Sequence, residues 1–86
     1  MLRISTNNNS ENLTLTVEGW LVGPWVDELR KETKLALGHA KAVTLDLQKL
    51  WFTDPSGLAL LRELMMRNVA FIHCSTFISQ QLKEAM

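Results

Sequence analysis

One segment of the chain places chemically useful residues close together: Asp54-Pro55-Ser56-Gly57-Leu58, directly after Leu50-Trp51-Phe52-Thr53. An aspartate followed by proline is a helix-start signature: the acid caps, and proline suits a first turn where its missing N–H is not needed. Ser56 then falls in the first helical turn, where unpaired N–H groups and the positive end of the helix dipole favour a negative charge. A phosphate on Ser56 meets that field, Asp54 opposes part of it, and Gly57 leaves space for an enzyme to approach the hydroxyl. The same four residues also read as a plain helix start with Ser56 as a first-turn residue, and the residue types alone leave both readings open. Thr53 is a second hydroxyl, but it precedes the cap.

The rest of the chain offers little catalytic material. The four glycines are scattered at positions 19, 23, 38 and 57, so there is no glycine-rich phosphate loop. No CxxC, HExxH or other metal-ligand spacing occurs. His73-Cys74 is an adjacent pair at a strand end with no further cysteine to complete a ligand set, and reads as structural. His39, after Gly38, reads as a solvated helix-end histidine. No nucleophile–histidine–acid arrangement can be defended. The expectation is a non-catalytic protein with no cofactor and no metal.

Composition narrows the partners. In 86 residues, nine basic residues balance nine acidic ones, and 47% of the chain is apolar. Zero net charge argues against nucleic acid, which needs a basic surplus, and against a polybasic membrane anchor. No apolar run approaches the roughly 18 residues of a spanning helix, and the first residues lack the pattern of a signal peptide. A lone cysteine, Cys74, fits a reducing compartment, and a cytoplasmic location is expected. The sequons at Asn8 and Asn12 are read as incidental on that basis. The length predicts a single domain, residues 1–86, with a core modest enough for a second copy to add burial; a homodimer is possible on those grounds.

The elements that must position Ser56 follow from periodicity. Leu2-Arg3-Ile4 alternates as a short edge strand, and the polar stretch Ser5 to Asn12 reads as a hairpin loop. Leu13 to Glu18 alternates strictly, and Gly19 closes that strand. Val26, Leu29, Thr33, Ala36 and Leu37 recur at helical spacing after Pro24-Trp25, with Gly38 as the stop. Val43 to Leu47 is a third strand, and Leu50-Trp51-Phe52 extends its apolar signal. The second helix opens at Asp54-Pro55 with Leu58, Leu61, Leu64 and Met65 as its stripe. Val69 to His73 is a fourth strand. A last helix capped by Ser75 or Thr76 carries Phe77, Ile78, Leu82 and Ala85. Trp25 reads as packing, whereas Trp20 and Trp51, near strand ends, serve packing or partner binding equally well. Strands separated by helices imply parallel pairing, and the opening hairpin makes the sheet mixed.

This arrangement resembles the STAS domain, the family of anti-sigma factor antagonists and sulfate-transporter tails. The family is marked by a strand followed by D-x-S-G-L opening a helix, here Asp54-Pro55-Ser56-Gly57-Leu58. Val43-Thr44-Leu45-Asp46-Leu47 is similar to its central strand, and Val17-Glu18-Gly19-Trp20-Leu21 to the V-x-G-x-L end of its second strand. The likeness runs from Leu13 to Met86. It implies an α/β, SpoIIAA-like STAS fold of order ββαβαβα, with a four-stranded mixed sheet packed against helices. It further implies a protein-binding switch whose serine, Ser56 by position, is phosphorylated by an anti-sigma factor kinase that is also its partner. Asp54, Pro55, Ser56, Gly57 and Leu58, with Trp51 and Phe52 beside them, are the expected partner-binding surface. Two other functions fit the same resemblance or composition: a STAS subunit docking the ATPase of a lipid or anion transport assembly without phosphorylation, and a small-ligand or redox sensor using Cys74. The chain departs from the family at Pro55, where signalling members commonly carry a small polar residue, and at Val22-Gly23-Pro24-Trp25, where an acidic residue and a small-residue helix start are usual.

Overall fold

The computed structural model describes residues 1–9 and 11–84, with no side-chain description for Glu84. Ser10, within the expected loop, and Ala85, expected on the last helix, lie outside the described residues. The element order is β1 (Leu2–Asn9), β2 (Asn12–Leu21), α1 (Pro24–His39), β3 (Ala42–Asp46), β4 (Leu50–Thr53), α2 (Pro55–Met66), β5 (Ala70–Ile72) and α3 (Thr76–Glu84). The fold is α/β with a mixed sheet, as the sequence predicts.

The spine of the sheet is β2. Antiparallel β1 lies on one side of it, and parallel β3 and β4 lie end to end on the other. Strand β5 continues the sheet beyond β3, also parallel. Alternation assigns the two faces. Leu15 and Val17 of β2 and Val43 and Leu45 of β3 are buried, while Thr14, Thr16, Thr44 and Asp46 between them are only partly covered. The helices therefore cover one face, which explains strict alternation in strands that a two-sided parallel sheet would make uniformly apolar. The covering comes from Val26, Leu29 and Ala36 of α1, Leu60, Leu61 and Leu64 of α2, and Ile78 and Leu82 of α3. Outside this layer, Arg30 of α1 is paired with Glu63 of α2 at 2.8 Å.

Two expectations about strands are corrected. The polar stretch after Ile4 is not a long loop: β1 continues through Ser5 to Asn9, in register with β2 as far as Asn9 opposite Asn12. An edge strand needs only a backbone ladder on one side, so exposed polar residues suffice there. The sheet also has five strands rather than four, because Leu50–Thr53 forms its own. Asp46 Oδ1 accepts from the backbone N–H of Gln48, and Leu50 N–H donates to the Leu47 carbonyl, so the chain turns and re-enters against the upper part of β2. That turn is local side-chain-to-backbone chemistry, which no hydrophobic period reveals.

Smaller differences concern boundaries and stripes. Helix α1 passes Gly38 and ends at His39, capped by the extended Ala40, whose N–H returns to the Ala36 carbonyl. On α2, Leu60 is buried and Met65 is exposed, so the stripe is offset from the expected one. Ser75 is the cap of α3, accepting from Ile78 N–H at 3.2 Å.

Leu45 is fully buried in the central strand. Leu45→Ala is expected to lower unfolding stability by about 2–5 kcal/mol, measured as a shifted denaturation midpoint with an unchanged slope.

Candidate functional site

The site forms where β2 and β4 end side by side. Leu21 and Thr53 pair across the two strands and both point into the core. The chain then leaves β2 through a turn at Val22-Gly23-Pro24-Trp25, closed by Trp25 N–H donating to the Val22 carbonyl. Gly23 has φ 56° and ψ −131°, a conformation essentially reserved for glycine. Next to it, the chain leaves β4 and enters α2 through Asp54, whose N–H donates to the Leu21 carbonyl at 3.1 Å.

Asp54 joins these two exits. Its Oδ2 accepts from Gly23 N–H at 3.0 Å. Its Oδ1 accepts from Gly57 N–H at 2.8 Å, the helix cap expected of this position, and from the Ser56 hydroxyl at 2.9 Å. The N–H of Gly23, then that of Gly57, hold the carboxyl below the usual carboxylate range; partial burial opposes them weakly, and the Ser56 hydroxyl and N–H add to the lowering.

Ser56 is exposed, and its hydroxyl proton is committed to Asp54. The donors that a phosphate on Ser56 would seek are already engaged. Pro55 has no N–H, and Ser56 and Gly57 N–H groups face the Asp54 carboxylate. Asp54, expected to oppose a phosphate in part, thus occupies that pole and takes the N–H groups of Ser56 and Gly57. Gly57 acts differently from the expected access gap. It is buried, and a Cβ there would collide with Thr53 Oγ1 and stand 2.8 Å from the Leu21 carbonyl oxygen. Its missing side chain lets α2 start tight against β2 and β4. Thr53 is buried, with its hydroxyl donating to the Asp54 carbonyl, so it is not available as an acceptor of modification.

Of the remaining expected site residues, Pro55 is exposed, Leu58 packs partly against the core, and Trp51 and Phe52 are exposed at 65% and 45%. A register shift between Gly19 and Trp20 leaves Trp51 unpaired and brings Trp20 opposite Phe52. Trp20 is 55% exposed. Trp20 and the Gly23 N–H are thus site components that the motif alone does not reveal. The bulge that creates the Trp20–Phe52 pair has no periodic signature, although Gly23-Pro24 is a visible turn signal. Trp25 is partly buried against the core, as expected.

The histidines and the cysteine lie elsewhere. His39 is exposed in the last turn of α1. His73 Nδ1 is 3.1 Å from Asp46 Oδ1, and Cys74 is partly buried, which pushes its thiol pKa up. No cluster of three potential metal ligands occurs among the described residues. Among them, too, no helix is long and apolar enough to cross a membrane.

The fold is that of STAS domains. The chain superposes on the STAS domain of an anti-sigma factor antagonist from Rhodobacter sphaeroides with a TM-score of 0.69 and 15% identity, covering 84% of this chain and 86% of the other. Against the anti-sigma factor antagonist SpoIIAA in its unphosphorylated form the TM-score is 0.73, with 18% identity over 96% of this chain and 80% of that one. Against the Bacillus cell fate determinant SpoIIAA in its phosphorylated form it is 0.70, with 20% identity over 96% and 83%. No family model and no curated protein sequence matches the chain.

Two outcomes are expected from this geometry. Asp54→Ala removes a cap and a loop-to-loop bond and is expected to cost about 2 kcal/mol at neutral pH. Because folding lowers the Asp54 pKa, its contribution is complete above the unfolded value and fades as pH falls below about 4. The gap between wild type and variant in urea titrations is therefore expected to narrow on acidification. Gly57→Ala is expected to destabilise the domain despite alanine's helix preference of about 1 kcal/mol, because the new methyl meets backbone at Leu21; the same titration measures it.

Proposed function

We propose that the protein is a non-catalytic binding switch of the anti-sigma antagonist kind, with Ser56 as its phosphorylated residue and an anti-sigma factor kinase as its partner. One observation carries this reading: an exposed serine hydroxyl, fixed by Asp54 at the start of α2, follows a strand whose Phe52 pairs with Trp20, both exposed, and whose Trp51 is exposed as well. Tryptophan and other aromatics exposed together are common anchors of protein interfaces. The fold shared with SpoIIAA, a protein with phosphorylated and unphosphorylated forms, supports the same reading.

The switching mechanism follows from the committed N–H groups. Phosphorylation replaces the Ser56 hydroxyl proton, so the bond to Asp54 is lost. It adds about −1.5 to −2 charges beside a carboxylate already held ionised. With the local donors taken, the phosphate is left at the exposed start of α2, facing whatever partner binds there. Burying that charge against a partner is costly unless the partner supplies a cation. Helix α2 retains its Gly57 N–H cap, so the fold survives while the interface is spoiled.

Incubation with anti-sigma kinases encoded in the same genome, followed by intact mass and site mapping, tests the assignment. One phosphate on Ser56, absent in Ser56→Ala, is expected. The phosphorylated form is expected to keep its circular dichroism spectrum and lose at least about 2 kcal/mol of affinity for that kinase. Label persisting in Ser56→Ala, or unchanged affinity, contradicts the proposal.

A further inference from the structure

The longest open edge of the sheet is β1, eight residues from Leu2 to Asn9, and it lies on the side of β2 opposite the Ser56 site. Its hydrogen-bonding phase can be read from one bond. Trp20 N–H donates to the Met1 carbonyl at 3.0 Å, so Met1 and Trp20 form a hydrogen-bonded pair. In an antiparallel ladder such pairs alternate. Arg3, Ser5, Asn7 and Asn9 therefore bond to β2, and the N–H and C=O groups of Leu2, Ile4, Thr6 and Asn8 point away from it.

Apart from the single charge of Arg3, this edge lacks the usual guards against pairing. Residues 2–9 contain no proline and no lysine, and their register with β2 has no bulge. Helix α1 leaves the edge open: a groove lined by Thr6, Leu13 and Leu15 of the strands and by Leu35, Ala36, His39 and one charged residue, Glu32, of α1 runs beside it, and Leu35 is 59% exposed.

We propose that β1 pairs antiparallel with β1 of a second copy, joining two sheets across a two-fold axis at Ser5. That register alone matches all the outward-facing groups of both strands: Leu2 with Asn8 of the second copy, Ile4 with Thr6, and the reverse. The occupant is a second copy because the edge is self-complementary. Arg3, the only charged residue of the strand, meets Asn7 rather than another charge. Ile4, half-buried in one copy, gains cover from Thr6 of the other. The two-fold axis also brings two Leu35-lined grooves to the same seam, and zero formal net charge opposes association weakly. The Ser56 site stays open in this dimer, so it is independent of the proposed switch.

Sedimentation equilibrium of the whole chain over a wide concentration range reads the association. A dimer is expected. Thr6→Pro removes an N–H that β2 does not use, so its circular dichroism is expected to match wild type while dimerisation weakens at least about tenfold, the effect of losing one hydrogen bond per strand. Ser5→Cys in a Cys74→Ser background places a thiol opposite its own copy in a non-hydrogen-bonded pair, about 4.5 Å between Cα atoms, within disulfide reach. Mild oxidation is expected to link it into a covalent dimer and to leave Arg3→Cys in the same background unlinked. A monomer at every concentration, a dimer indifferent to Thr6→Pro, or equal linking of both cysteine variants would overturn the proposal.

Discussion

The carboxylate of Asp54 is the contact on which the functional end of this molecule depends. Three donors from two elements meet it: Gly23 N–H from the turn after β2, and Gly57 N–H and the Ser56 hydroxyl from the first turn of α2. Without it, the end of β2 and the start of α2 would be tied at this point mainly by the Asp54 N–H bond to Leu21. The lowered carboxyl pKa is the electrostatic face of the same geometry, since each donor favours the charged form.

Two glycines make that contact possible, for different reasons. Gly23 supplies a backbone conformation that other residues rarely adopt, which aims its N–H at the carboxylate. Gly57 supplies absence of volume, letting the helix start against the Leu21 carbonyl and the Thr53 side chain. The site is thus built into the rigid ends of β2, β4 and α2 rather than onto a free loop. A hydroxyl held this way presents one geometry to a partner, and a change in its charge alters the surface without requiring the core to move. Leu21 and Thr53 lie buried directly behind it.

Much of this was legible in the sequence. Alternation in Leu13–Glu18 and Val43–Leu47, helical spacing in Val26–Leu37, and Asp54-Pro55 as a helix start each reflect a single local rule, and each appears in the structure. The separate strand β4 was hidden because the turn before it rests on Asp46 bonding to Gln48, a local bond that leaves no period. The length of β1 was hidden because an edge strand can be polar throughout. At the site, the cap and the serine were visible, but the Gly23 contact joins positions 31 residues apart, and a register shift of one residue decides the neighbour of Trp20. Such contacts come from the assembled sheet and not from any window of sequence.

Proton-dependent NMR of the backbone amides tests the role of Asp54 most directly. If one carboxylate accepts from both loops, the Gly23 and Gly57 amide resonances shift together as pH is lowered. Their common midpoint matches that of the Asp54 side-chain carboxyl carbon and lies below the ordinary aspartate value of about 3.9. Amides that titrate separately, or an Asp54 midpoint at or above that value, would contradict the account.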